Sequence, residues 1–353
     1  MMGRKSPAFK RLTRAVLALA LAALSASAPR FALAQETVIT LNLVGDCAVA
    51  DQYRYRGRET SFTARVSALG MEYPFSLVQE RFAADDLTIA NCEGVLTERP
   101  LGKGGKEMAL SAPPRFAEVF RAGGVDVVNL ANNHSRDFGD AGLEDTMAAL
   151  DAAGVRHFGV GRPAMVEVKG LLVGLCGYCY PLTDAKMKFY REAIGELREA
   201  GCDLIIASAH AGREDCPTPN AEQLKRFPEL IDMGADLVYG HGAHRLQPIQ
   251  RYKDGLILYG LGNFTFGANP RPADDDTAVL SVSYRVGADG APALEKLEAI
   301  PMKAHDDGDY RPFPIEDEEG KRRVYEKLFF TREKHPESNL GEEFAKTGIC
   351  LFD

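Results

Sequence analysis

Five short runs along this chain stay apolar until they stop on an acid, an amide or a histidine. They are LNLVGD at Asp46, TIANCE at Glu93, VVNLANNH at His134, LIIASAH at His210 and LVYGHGAH at His244. Continuous apolar runs of this length predict buried strands of a parallel sheet. Strands are expected at about 37–45, 86–91, 125–130, 171–177, 203–209, 236–239 and 256–260. Between them the period becomes helical. Leu143, Met147 and Leu150 recur on one face and Gly154 stops the run, and similar helices fit 113–122, 187–200 and 221–233. Such alternation predicts an α/β domain with a largely parallel sheet. From residue 278 two alternating strands follow without helices, AVLSVSYRV and ALEKLEAIPM, which predict an antiparallel edge or a second sheet. Residues 303–320 read as an exposed loop, 321–333 as a terminal helix, and 101–106 and 267–276 as flexible loops flanking the strand ends.

A strand that ends on a polar residue delivers that side chain to its C-terminal rim, where open α/β sheets bind ligands. Five deliveries in the same phase predict one pocket lined with oxygen and imidazole groups, the donor set of a divalent transition metal. Singly the motifs are weak. Asp46 alone reads first as a turn or capping residue, and Glu93 alone reads equally as a ligand or a solvated loop acid. Asn132-Asn133-His134 is sharper, because three hydrogen-bonding residues in a row make a poor core segment. An amide oxygen ligates metal, and an adjacent imidazole can protonate a leaving group. Asp137 and Gly139 read as loop-shaping. Glu214 either orients His210 or faces solvent. His241 and His244 sit three apart, and the intervening glycine lets both rings face one centre. Four of the seven histidines fall at or just past strand ends; His157, His305 and His335 have no partners at useful spacing and read as surface or structural.

The first 34 residues differ from the rest. Arg4, Lys5, Lys10, Arg11 and Arg14 precede the apolar stretch AVLALALAALSASA, and Ala32-Leu33-Ala34 supplies a small-x-small cleavage site. This is the pattern of a secretory signal peptide cut after Ala34, giving an exported product in the periplasm or at the cell surface. Cleavage removes six basic residues and no acidic ones, so the formal charge moves from −8 to −14. That balance argues against nucleic acid as a partner. It also disfavours a polyanionic substrate unless metal ions supply local positive charge. All seven cysteines lie in the mature part, where disulfides persist and an odd count leaves one unpaired. Cys176 and Cys179 read as buried small hydrophobes. Cys47 and Cys92 each adjoin a candidate ligand and would lie close together on neighbouring strands, which leaves a disulfide between them open.

The motifs, taken in order, resemble the CapA-type poly-γ-glutamate capsule-synthesis proteins, a branch of the calcineurin-like metallophosphoesterase superfamily. The resemblance runs from about Thr40 to Pro301 and rests on LVGDC, NCEGVLT, LANNHSRDFGDAGLEDT, SAHAGRE and GADLVYGHGAHRLQPIQRYKDGLILYGLGNFTF. It implies a four-layer α/β/β/α sandwich spanning 35–302, with 303–353 as a C-terminal extension of loop and helix packing on it. One or two divalent ions of the manganese, iron or zinc class are implied as well. By position Asp46, Glu93 and His244 would serve one metal, and Glu93, Asn133, His210 and His241 the other. His134 would be the acid, with Asn91, Asn132, Glu214 and Asn263 behind the ligands or against substrate. The wider superfamily carries a histidine two residues after the first aspartate; here that position is Ala48, so the first metal has the thinner ligand set. The function implied is metal-dependent hydrolysis of an anionic polymer or a phosphoester, in company with a membrane-bound capsule synthase. The competing reading is a non-catalytic polymer-binding or assembly factor on the same scaffold.

Overall fold

The computed structural model describes residues 36–102, 106, 108–269, 272–287, 291–305, 308–329 and 340–352. The expected signal peptide, its expected cleavage point and His335 lie outside the described residues.

Alternation along the strands sorts the apolar side chains into three layers. In β1 (Thr37–Ala48) Ile39, Leu41 and Leu43 face one core while Val44, Cys47 and Ala48 face another. The same division recurs in β2 (Leu87–Cys92), where Leu87 and Ile89 oppose Ala90 and Cys92. With β3 (Val127–Asn129) and β4 (Arg156–Phe158) these strands form the parallel half of the first sheet. The second sheet contains β5 (Ala164–Val168), β6 (Leu171–Cys179), β7 (Leu204–His210), β8 (Leu237–His241), β9 (Leu246–Tyr252) and β10 (Gly255–Leu261). Its central four strands are parallel and its two edges antiparallel. Leu204 and Ile206 of β7 meet the first sheet's Leu41 and Ile89 in the shared core, and Ile205, Ala207 and Ala209 face outward.

Helices cover both outer faces. On the first sheet lie α1 (Phe62–Leu69), α2 (Glu118–Ala122) and α3 (Gly139–Ala153), through Phe62, Phe120, Leu143 and Leu150. On the second lie α4 (Asp184–Glu199) and α5 (Ala221–Asp232), through Tyr190, Leu197, Phe227 and Leu230. The architecture is a four-layer α/β/β/α sandwich. Among the described residues no helix is long and apolar enough to cross a membrane.

After β11 (Asn263–Phe266), which pairs in parallel with β1, the hairpin β12 (Asp276–Val286) and β13 (Pro292–Lys303) extends the first sheet as its antiparallel edge, the first of the two expected alternatives. Several other expectations need correction. The 113–122 helix opens as a 3₁₀ turn, Pro114–Ala117. Strands β5 and β9 went unpredicted because both are edges; β9 carries Pro248, which an edge tolerates. Helix α1 buries only Phe62 and Val66, too short a stripe to show in the sequence. The segment 303–320 is not wholly exposed, since Tyr310 and Ile315 are buried and Phe313–Pro314 pairs with β13. The terminal helix is α6 (Glu318–Leu328), capped by the Asp317 carboxylate accepting from Gly320 N at 2.8 Å. With Phe344 of α7 (Gly341–Thr347), its Val324 and Leu328 join the shared core. The 267–276 loop, where described, is tied down: Asp274 meets Arg245 and Lys327, and Asp276 meets Arg323, Lys327 and Lys303. Cys47 and Cys92 do face each other in the ladder, yet all seven thiols are free.

Candidate metal centre

Strand register brings the predicted residues together at the C-terminal rim. Asp46 on β1 is level with Asn91 on β2 and Asn263 on β11, and His210 on β7 with His241 on β8. The two sheets meet here through glycine. A Cβ on Gly45 would lie 2.2 Å from the carbonyl oxygen of Gly262, so only glycine allows the bond from Asp46 N to that oxygen, 2.8 Å. Gly242 has φ +90°, and a Cβ there would lie 2.8 Å from the His210 ring. His244 sits at φ 53°, a left-handed conformation that costs a non-glycine residue on the order of 1–2 kcal/mol. Strain of this kind is retained where the side chain's direction matters.

The donors converge. Asp46 Oδ1 lies 2.8 Å from His241 Nδ1, and Asp46 Oδ2 3.2 Å from His244 Nδ1. Glu93 Oε1 lies 3.8 Å from His244 Nε2 and 3.9 Å from His134 Nε2. Donor atoms of Asp46, Glu93 and His210 all fall within 4.8 Å of one another. Asn91 Nδ2 donates to Asp46 Oδ1 at 2.8 Å and to Glu93 Oε2 at 3.4 Å. Its own Oδ1 accepts from Asn132 and from Asn129, the latter unforeseen. Asn263 Oδ1 is 2.8 Å from His244 Nδ1. Glu214 does not orient His210; it is exposed on the cavity wall, and His210 Nδ1 has no hydrogen-bond partner.

Burial with charge sets the protonation. Burial opposes ionisation of Asp46, but His241 and His244 outweigh it and hold the carboxyl well below the usual range. Burial, reinforced by the charge of Asp46, pushes Glu93 up to about 7 despite His244 and His134. Burial drives His210 down to about 3. For His244 burial opposes the charged ring, yet Glu93 and Asp46 raise it to about 10.

These residues fit a divalent cation on their own chemistry. Glu93 Oε1, Asn133 Oδ1, His210 Nδ1 and His241 Nε2 are buried with no hydrogen-bond partner, while His241 Nδ1 is taken up by Asp46. A buried unsatisfied polar atom costs about 1–3 kcal/mol. Four in one cluster are hard to account for unless something positive satisfies them. Ala48, fully buried, offers no donor two residues after Asp46.

Beside the cluster His134 Nδ1 is 2.6 Å from Asp137 Oδ2. Burial opposes ionisation of Asp137, but the hydrogen bond to His134 prevails and lowers it. Asp137 also accepts from Leu110 N, 2.9 Å, and pairs with Lys106, 3.0 Å. It is therefore a positioning group rather than a loop-shaping one, and the His-x-x-Asp spacing in NNHSRD was its only signal. Tyr180, half exposed, stacks over His210 with ring centroids 6.4 Å apart. The cavity above holds about 730 Å³, and its wall includes Glu93, Asn133, His134, His210 and His244 with Lys106 and Arg213.

A four-layer sandwich with carboxylates, amides and imidazoles gathered at its strand ends defines a candidate metal-binding α/β protein. The chain belongs to the family of the bacterial capsule synthesis protein PGA_cap, whose model matches residues 40–268. It is 28% identical to the capsule biosynthesis protein CapA of Bacillus anthracis, over 82% of this chain and 72% of that protein. It is 24% identical to the PGA biosynthesis protein CapA of Bacillus subtilis, over 93% and 86% respectively. Among solved structures, the 5'-nucleotidase of Candida albicans aligns with 87% of this chain and 56% of its own, at 11% identity and a TM-score of 0.40.

Proposed function

We propose that this protein is an exported, divalent-metal-dependent hydrolase or transferase of capsule polymer metabolism, acting on an anionic chain of γ-glutamyl type. The observation that carries the reading is the set of buried, unpartnered donors on Glu93, Asn133, His210 and His241 beside the ionised Asp46. Residues 1–34 serve as the cleaved signal, 35–302 as the catalytic domain and 303–353 as its extension, working beside a membrane-bound synthase. A metal held by Asp46, Glu93, Asn133, His210, His241 and His244 supplies Lewis-acid activation of water and of the scissile group. The chain's own residues do the rest. Asp137 fixes the His134 ring through Nδ1, leaving Nε2 toward Glu93 and the cavity to hand a proton to the leaving group. Asn91 and Asn132 lock the first-sheet carboxylates, and Asn263 aims His244.

The test is metal content and γ-glutamyl cleavage by residues 35–353, beside His210→Ala and His241→Ala. One or two equivalents of manganese, iron or zinc, lost in both variants together with cleavage, is the expected result. Cleavage that survives a strong chelator, or no metal after reconstitution, overturns it. The apolar Ala48 favours a second reading, an assembly factor with a vestigial site; polymer production that persists in cells carrying His134→Ala would select it.

A further inference from the structure

In this acidic chain residues 53–58 read Tyr-Arg-Tyr-Arg-Gly-Arg. Tyr53–Tyr55 form one 3₁₀ turn directly after Gln52, whose side chain lines the cavity. Arg54 Nε donates to Gln52 Oε1 at 3.1 Å, and its Nη2 reaches Sδ of Met108, another cavity residue, at 3.4 Å. Tyr53 packs edge-on against Phe138, centroids 5.8 Å apart, next to the Asp137 that holds His134. The strip is thus anchored to the rim of the site at the start of its turn. Its guanidiniums lie over tyrosine rings: Arg54 and Arg58 over Tyr55 at 4.7 and 4.2 Å, and Arg56 over Tyr53 at 5.8 Å. Arg56 and Arg58 have no ion pair among the described residues. Inside the cavity an exposed, unpaired Arg213 adds a further guanidinium, while Lys106 is paired with Asp137.

We propose that residues 53–58 are a docking track that takes an extended polycarboxylate chain and leads it into the cavity. The proposal rests on the reading above, in which the substrate is an anionic polymer. Stacking on tyrosine pre-orders each guanidinium fork, whose paired N–H groups match a carboxylate in two parallel bonds. Pendant α-carboxylates repeating along a flexible γ-linked chain can meet successive arginines while its backbone runs toward His134. Three arginines on a chain of formal charge −8 are a poor footprint for a nucleic acid duplex, which needs a broad basic face. A lipid surface is disfavoured because the arginines cover the tyrosine faces that would otherwise insert.

The experiment is fluorescence anisotropy of a labelled γ-glutamyl oligomer with the metal-loaded protein, across a salt series. Arg56→Gln/Arg58→Gln is expected to weaken binding on the order of tenfold at low salt and to flatten the salt dependence. Arg56→Lys/Arg58→Lys should recover only part of the affinity. Metal content, Tm and cleavage of a single γ-glutamyl dipeptide, too short to reach the strip, should stay unchanged. A wild-type protein that cleaves the dipeptide but binds the oligomer no better than the glutamine variant overturns the track alone. A wild-type protein that neither binds nor cleaves overturns the functional reading and the track with it. Loss of binding to anionic vesicles or an oligonucleotide, with oligomer affinity intact, also overturns the track.

Discussion

Asp86, Asp126, Asp203 and Asp236 stand at the N-terminal ends of parallel strands, and each accepts a backbone N–H from the neighbouring strand at 2.7–2.9 Å. At or beyond the C-terminal ends of those same strands stand Glu93, Asn133, His210 and His241, each with a buried polar atom that has no partner. The residue chemistry is similar at both ends, but its satisfaction is opposite. A carboxylate that closes an otherwise open strand N–H stabilises the sheet. Donors left open and aimed at one another destabilise the bare protein and make sense as a binding site. Position on a sheet therefore separates structural from chemical acids better than residue type does.

The largest effect that would sharpen this contrast is on chemistry. His134→Ala should lower cleavage by roughly 10²–10⁴-fold while metal content and Tm hold. Asp137→Asn should lose less, about 10–100-fold, because the ring keeps a hydrogen-bond partner but loses its charge. Kinetics beside thermal melts decide it. A drop in Tm with cleavage preserved would make the C-terminal end structural too, and the contrast would fail.

The opposite end should respond in stability. Asp126→Ala leaves Thr88 N without its acceptor, and Asp236→Ala leaves Ile205 N without one and removes a partner of Arg198. Each should cost about 1–3 kcal/mol in denaturant unfolding, with bound metal and cleavage per folded molecule unchanged. A variant that folds normally but loses metal would show that the two ends are coupled.

Much of this was legible in the sequence because both signals are local. A buried strand is a run of apolar residues, and its polar stop marks the rim, so Asp46, Glu93, His210 and His241 could be placed before any coordinates. The aspartates that open the strands stood just as plainly in DLTIANCE, VDVVNLANNH, CDLIIASAH and ADLVYGHGAH. What each accepts, however, is a backbone N–H from another strand, a contact no single run can reveal. Lys106 on Asp137, Asn129 on Asn91 and Tyr180 over His210 were hidden for the same reason. The direction of Glu214 was not legible, because proximity in sequence to His210 does not fix direction in a loop. Arginines over tyrosines at 53–58 gave no periodic signal, and their meaning depends on the cavity beside them.

The smallest expected effect concerns Asp85, which stands at the N-terminal end but lacks the clean arrangement of its neighbours. It accepts from Thr88 Oγ1 at 2.8 Å and from Asn42 N at a longer 3.2 Å. Burial, with Asp126 and Asp86 nearby, pushes its carboxyl up to about 7 in spite of those hydrogen bonds. The folded protein therefore holds a proton there that the unfolded chain releases near pH 4. Stability from this group is fully present below about pH 4 and declines as pH rises toward about 7. Partial exposure screens the effect, leaving on the order of 1 kcal/mol. Asp85→Asn keeps an acceptor and removes the titration. Because Glu93 and His210 also titrate, the informative quantity is the difference in Tm between the variant and the wild type. That difference should move in favour of the variant between pH 4 and pH 8. A difference that stays flat would mean that Asp85 is as well satisfied as Asp126, and that the N-terminal end is structural without exception.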